Sequence, residues 1–546
     1  MPALADLGSA FGIGCAIFCL LTVSWLRRLW VAGRYLLEWA EYRAETPLGG
    51  PVAATSSGGP VAAASSDGPV AAASSGGPVA VCVLLPVLEE TRRLEACVRR
   101  LLELGQDHPD YTVAIVTTDA EFERHERTTA HLVSLARAAP DLSGRREVAE
   151  DLIRRRPTTV DMARSLADRF PRVRVYHKAG TVGHMAHQLN AGVRAHLASV
   201  GAAEVLFAVY NADSRPDPRT LAWVLARCRG PARSDPARSD PVQRDVPLVF
   251  QQYGLYLGNY SALLHRPWPV EAVLTAAGLW QTRWSIGFEI FNALRQFPGG
   301  GRAVKAGRFD PGRLPVLNYC IGHGLFFTHG TYLALGGFSE RTYSEDAMFG
   351  LEASYHGVPI VPVPLFESAD SPETVRSLYI QKSTWFWGPL QAFRYAGLMG
   401  EAGQVGPGWR SRWRLRWLTL RLFAHAVIWV AGPTLVAALL AYALITRDPL
   451  RLVLSIGVTE LYLILPNLVA LAICGRVAPE IAAQIDPGAR GGLLVAATLR
   501  QLVGAPVAYA LHGLSAYRTL GRALRSWVTG VPAPKERTPL RGQAPP

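Results

Sequence analysis

Three clusters of residues have the types and spacing to do chemistry. The first is Asn211-Ala-Asp213, inside Val209-Tyr-Asn-Ala-Asp-Ser-Arg-Pro-Asp-Pro218. It follows an apolar run that reads as a strand, so Asp213 stands at a strand's carboxyl end. A carboxylate there suits a hard divalent cation shared with phosphate oxygens. The same residue types also make an ordinary turn. The second cluster runs from Asn318 through Gly322-His-Gly324 to Gly336-Gly337-Phe338 and Ser344-Glu345-Asp346. Gly322 and Gly324 let backbone approach a ligand closely, and Asp346 has the chemistry of a general base. Ser344, Glu345 and Asp346 also fit a helix start, where an N-cap and acids are favoured. The third is Gln381-Lys-Ser-Thr-Trp385. An indole face suits a sugar ring and an amide suits hydroxyls, although tryptophans also gather at membrane surfaces.

The elements that must carry these residues alternate between strand and helix patterns over residues 80–395, which argues for an α/β layer fold. Val79–Pro86, Tyr111–Thr117, Val173–His177, Val205–Tyr210, Pro247–Gly254 and Pro359–Pro364 read as strands. Glu89–Leu104 has helical periodicity, and residues 121–170 are charged and helical. In such sheets ligands gather where strands end and loops begin.

Outside that unit the chain reads as membrane. Leu7–Leu26 carries no charge and is followed by Arg27, Arg28 and Arg34. A span needs ~20 apolar residues, and positive charge after the run argues for a retained anchor with its C-terminal end in the cytoplasm. Leu29–Glu45 is amphipathic and expected at the interface. Leu422–Thr446 and Leu452–Gly475 are further spans, the first preceded by Arg410, Arg412, Arg414, Arg416 and Arg421. Leu493–Tyr517 is interrupted by Arg500 and Gln501 and precedes a basic tail, so a re-entrant or interfacial helix is expected. Residues 49–79 repeat with period nine (GGPVAATSS, GGPVAAASS, DGPVAAASS) and lack large side chains. They read as a flexible tether. The expected organisation is an anchor with an interfacial helix (1–45), a linker (46–79), a cytoplasmic domain (80–395) and a C-terminal membrane region (396–546).

Composition narrows the class. Hydrophobic residues are 49% and charged residues 18%, which excludes a disordered chain. The net charge of +13 is almost all arginine, the lysines being Lys178, Lys305, Lys382 and Lys535. No compact basic run with interleaved aromatics marks a nucleic-acid face. The 7 cysteines include no CxxC pair, so neither a disulfide framework nor a structural zinc site is expected.

Taken in order, these pieces resemble the membrane-bound family 2 glycosyltransferases, the inverting group that includes cellulose, chitin and hyaluronan synthases. Pro86 and Glu90 resemble the family's opening Pro-x-x-x-Glu, and Gly183-His184 through Asn190 its Gly-Lys-x-x-x-x-Leu-Asn segment. Asn211-Ala-Asp213 resembles its DxD element, Ser344-Glu345-Asp346 its TED element, and Gln381–Trp385 its QxxRW element. The resemblance implies a GT-A-like mixed sheet with helices on both faces. It implies a nucleotide-sugar site at Pro86, Glu90, Asp119, His184, Asn190, Asn211 and Asp213, with Mg2+ or Mn2+ on Asp213. It implies catalysis by Asp346 with Glu345, and an acceptor site at Gly322, Gly324, Gln381 and Trp385. The expected partners are a nucleotide-diphosphate sugar, a lipid or saccharide acceptor and the cell (plasma) membrane, with no nucleic acid. Four positions depart from the pattern. Asn211 replaces the first Asp, His184 the Lys and Thr384 the Arg, while the second strand ends Thr117-Thr-Asp119. The loss of that arginine favours adding one or a few sugars over processive synthesis. A processive polysaccharide synthase and a catalytically inactive membrane scaffold remain the alternatives.

Overall fold

The computed structural model describes residues 2–39, 79–138, 146–181, 183–200, 204–228, 248–309, 315–482 and 492–531. The repeat segment expected to act as a tether lies outside the described residues.

Seven strands form one mixed sheet in the order β3-β2-β1-β4-β6-β5-β7. They are β1 (Ala80–Pro86), β2 (Tyr111–Thr118), β3 (Val173–Lys178), β4 (Val205–Val209), β5 (Val249–Leu255), β6 (Leu325–Thr328) and β7 (Ile360–Ser368). β1 to β4 pair in parallel, and β6 runs antiparallel between β4 and β5. This is the expected mixed sheet, with helices on both faces. Central strands such as Ala-Val-Cys-Val-Leu-Leu-Pro are continuously apolar because both faces are covered. Val81, Val83 and Leu85 pack with helices Leu94–Leu104 and Thr159–Arg169. Cys82 and Leu84 pack on the other face with helices Met185–Val200 and Glu345–His356. The edge strand β3 alternates polar and apolar residues, as one solvent-facing side requires. β6 was not expected from the sequence: it is only 4 residues long and sits inside the glycine-rich motif. The helix expected from Glu89 begins at Leu94, because Glu89 adopts a left-handed φ of 59°.

Among the described residues, three helices are long and apolar enough to cross a membrane: Ser9–Leu37, Trp409–Thr446 and Pro449–Val477. The first corrects the sequence reading. No break separates an anchor from an interfacial helix; one helix runs from Pro2 to Leu37. Its lower part does not lie free at the interface. Leu29, Ala32, Tyr35, Leu36 and Trp39 are buried in the same core as β1 and β7. The spacing of these residues makes one apolar stripe, and the α/β unit supplies the surface that buries it. Tyr35 donates its hydroxyl to the carbonyl of Pro362 at 2.6 Å, and Trp39 meets Trp223 edge-on at 5.7 Å. β7 is an edge strand, which is why Pro362 and Pro364 are tolerated in it. The N-terminal helix meets that strand through Tyr35, and Gln296 bonds the Ile360 amide and carbonyl.

The stretch expected to be a re-entrant or interfacial helix is one unbroken helix of 38 residues, Gly492–Thr529. The two polar residues that interrupted the apolar run are used in packing. Arg500 pairs with Glu271 of helix Val270–Trp284. Gln501 accepts a bond from Asn467 at 2.8 Å, both side chains being fully buried.

Candidate active site

The loop after β4 is clamped before it reaches solvent. Ser214, fully buried, accepts from the Asn211 amide at 3.0 Å and returns its own amide to the Asn211 carbonyl at 3.0 Å. Cys97 donates its thiol to that carbonyl at 3.4 Å. The outgoing chain is held by β7: Pro216 bridges to Glu367, and the Ser368 amide donates to Arg215. Asp213 is thereby presented from a rigid turn with its side chain 35% exposed. Arg93 lies 3.9 Å from Asp213 and 3.9 Å from Asp370, while Asp370 is also paired with Arg215. Burial and the nearby Glu367 carboxylate push Asp213 above the ordinary carboxylate range, against the pull of His323 and Arg93.

Asp346 opens helix Glu345–His356, which ends at Gly357 with φ 75°. Ser344 occupies the cap position but makes no side-chain cap bond. The Ala347 amide donates instead to Asp346 Oδ1 at 2.7 Å. Gly322 lies against Asp346: a Cβ at position 322 would sit 3.4 Å from Asp346 Oδ2. The next residue, His323, holds Glu367 Oε2 through Nδ1 at 2.9 Å. One short segment therefore touches the neighbourhoods of both acids. The buried phenol of Tyr256 gives the same result: burial pushes it up, and so do the carboxylates of Glu289, Glu367, Asp213 and Asp346. Asp213 and Asp346 therefore both act electrostatically on one buried ring. Trp385 meets Tyr256 edge-on at 6.1 Å. Lys382 lies over the Trp385 ring at 4.1 Å and donates to Gln281 at 2.7 Å.

The remaining expected residues divide into two sets. Pro86 ends β1 opposite Val116, and Glu90 follows, buried, with its amide bonded to Thr159 at 3.0 Å. Asp119, at the end of β2, accepts from His177 at 2.8 Å and from the Gly180 amide at 2.6 Å. Those bonds hold its carboxyl below the usual range. His184 meets Tyr343 at 5.4 Å with the rings tilted, and Tyr343 in turn meets Trp387 at 5.5 Å. Gln381 and Trp385 share one face of helix Val375–Leu390, four residues apart and half-buried. Thr384 turns its hydroxyl back to the Ile380 carbonyl at 3.0 Å.

Three expectations are corrected by the geometry. Asn190 does not face a nucleotide. Its amide donates to the Phe338 carbonyl at 2.8 Å and to Glu340 at 2.9 Å, and accepts from Tyr332 at 2.9 Å and the Phe338 amide at 3.1 Å. It is the joint between helix Met185–Val200 and the Gly336-Gly337-Phe338 turn. Glu345 is buried at 4% exposure, while Asp346 stays accessible. Gly324 is structural: with φ 62°, its absent Cβ leaves room for the Gln252 carbonyl, which a Cβ would approach to 2.6 Å. The sequence reading missed Arg93, His323, Glu367 and Asp370. Their one visible signal was position, since Glu367 and Asp370 end a strand.

Among the described residues no group of three or more His, Cys, Asp or Glu side chains forms a metal cage. Asp213 beside Asn211 offers one carboxylate and one amide. That donor set fits a Mg2+ or Mn2+ ion that keeps water and takes its other ligands from a diphosphate.

Residues 312–474 match the profile of glycosyl transferase family group 2. That segment of the chain is similar to family 2 glycosyltransferases. The matched segment holds Asp346, Gln381 and Trp385, and nearly all of the second and third apolar helices. No curated protein matches the chain by sequence. Among solved structures it is similar to the mannosyltransferase PcManGT from Pyrobaculum calidifontis in complex with GDP-Man and Mn2+, at 13% identity and TM-score 0.33. That similarity covers 91% of this chain and 99% of the other. It is also similar to S. aureus TarS 1-349, at 11% identity and TM-score 0.30, over 83% of this chain and 92% of the other. Similarities this low carry no argument about substrate.

Proposed function

We propose that this glycosyltransferase is an inverting enzyme that moves a sugar from a nucleotide-diphosphate sugar to a membrane-associated lipid or saccharide acceptor. One observation supports the reading: two half-buried acids from distant parts of the chain, Asp213 and Asp346, are linked through Gly322-His323 and Glu367, with Asp213 just past the end of β4 and Asp346 at a helix start. The nucleotide lies over the ends of β1 and β2, near Pro86, Glu90 and Asp119. Asp213 would hold Mg2+ or Mn2+, which would supply positive charge against the diphosphate of the leaving group. Asp346 takes the proton of the acceptor hydroxyl as that oxygen attacks the anomeric carbon from the side opposite the diphosphate. Gln381 and Trp385 hold the acceptor. Thr384, in place of an arginine, and three apolar helices support short additions over a processive polymerase. The arginines flanking the first and second apolar helices support a multi-pass protein of the plasma membrane with a cytoplasmic catalytic domain.

The test is a panel of sugar nucleotides with purified membranes, reading released nucleoside diphosphate and product mass. Wild-type release that Asp346→Asn cuts by about 10²–10⁴-fold supports the assignment. Near-normal turnover in a folded Asp346→Asn variant refutes it. Long product chains refute short addition.

A further inference from the structure

The buried pair His323–Glu367 has no part in the reading above, yet it lies between the two acids that do. His323 follows Gly322, which is packed on Asp346, and its side chain is 12% exposed. Glu367 is 3% exposed and bridges to Pro216, three residues after Asp213. The bond from Nδ1 to Glu367 at 2.9 Å fixes the plane of the ring. Nε2 has no hydrogen-bond partner among the described residues. An imidazole oriented by a buried carboxylate, with its second nitrogen unclaimed at a phosphate-handling site, is built to donate to an anion.

We propose that His323, oriented by Glu367, donates its Nε2–H to the diphosphate of the bound sugar nucleotide. This rests on the donor site proposed above. As the bond between the anomeric carbon and the diphosphate oxygen breaks, its electron pair passes to that oxygen, where His323 stabilises the growing charge. The acceptor oxygen forms the new bond and its proton goes to Asp346. His323 gives a hydrogen bond and transfers no proton. Burial pulls the imidazole down, but Glu367, by charge and hydrogen bond, and Asp213 outweigh it and raise the imidazole to about 9. It is therefore protonated at neutral pH, which suits a donor and does not suit a base.

The test compares binding of GDP with GMP, and of UDP with UMP, to the full-length purified protein at fixed Mn2+. The wild type should prefer the diphosphate of one pair. His323→Gln should weaken that diphosphate by about 10- to 100-fold and leave the monophosphate within about threefold. Glu367→Gln, which keeps an acceptor for Nδ1 but removes the charge, should fall between. Equal losses for diphosphate and monophosphate mean a structural role and overturn the proposal. Intact diphosphate binding with lost turnover assigns His323 to the acceptor side and also overturns it. If the wild type binds neither diphosphate, the donor site itself fails, and this assignment with it.

Discussion

Asn190 separates what a motif resemblance implies from what the geometry does. The resemblance puts it on the nucleotide; the structure places its amide in four hydrogen bonds between helix Met185–Val200 and the turn at Phe338. Asn190→Ala removes all four. Glu340 is accessible enough to recover a water partner, but Tyr332 and both backbone groups of Phe338 are buried. At about 1 kcal/mol for each bond that water cannot replace, the loss is about 3–4 kcal/mol. For a domain of about 300 residues that lowers the melting midpoint by roughly 5 °C. The assay is thermal unfolding of the detergent-purified protein, followed by tryptophan fluorescence, beside nucleotide binding measured well below the midpoint. The expected outcome is a drop of that size in the midpoint with nucleotide affinity nearly unchanged. An unchanged midpoint with weakened binding would put the amide back on the nucleotide and refute the reasoning.

Other outcomes follow from the same geometry. Asp213→Ala should abolish the metal dependence of donor binding; equal affinity with and without Mn2+ in both proteins would remove Asp213 from the metal site. Gly324→Ala forces a Cβ to 2.6 Å from the Gln252 carbonyl at φ 62°, so it should reduce folded yield and shift β6, detectable as accelerated proteolysis at 10–20 °C below the wild-type midpoint. Because the His323 imidazole is raised to about 9, its pair with Glu367 contributes stability that is complete below its ordinary value near 6.5. That contribution is lost as pH rises through 9. The difference in unfolding midpoint between wild type and His323→Gln should therefore shrink from pH 6 to pH 9.5; a constant or growing difference would contradict the pairing. Tyr35→Phe deletes one bond to the Pro362 carbonyl and should cost about 1 kcal/mol, read as a lower unfolding midpoint at unchanged specific activity.

Much of the sheet was legible because buried parallel strands are apolar throughout, so β1 and β4 announce themselves. β6 did not, because 4 residues among glycines show no periodicity. Asp213 and Asp346 were legible as acids set at a strand end and a helix start, places where carboxylates are exposed by local geometry alone. Arg93 and His323 were not, because their importance lies in contacts with Asp370 and Glu367, far off in the chain, and single-chain spacing carries no record of such pairs. Arg500 and Gln501 were read as interruptions for the same reason: their partners, Glu271 and Asn467, sit on other helices. The N-terminal helix was misread because an apolar stripe looks alike whether lipid or protein covers it.

Docking of that helix changes what the nine-residue repeats can be for. Trp39 is fixed against Trp223, and β1 starts at Ala80 inside the same core. Both ends of residues 40–78 are thus nailed to one body, and no slack between them alters how far the cleft stands from the bilayer. Closing a longer loop between fixed ends costs only about 0.6 kcal/mol per doubling. The docked helix, and not the number of repeats, therefore sets where β1 begins.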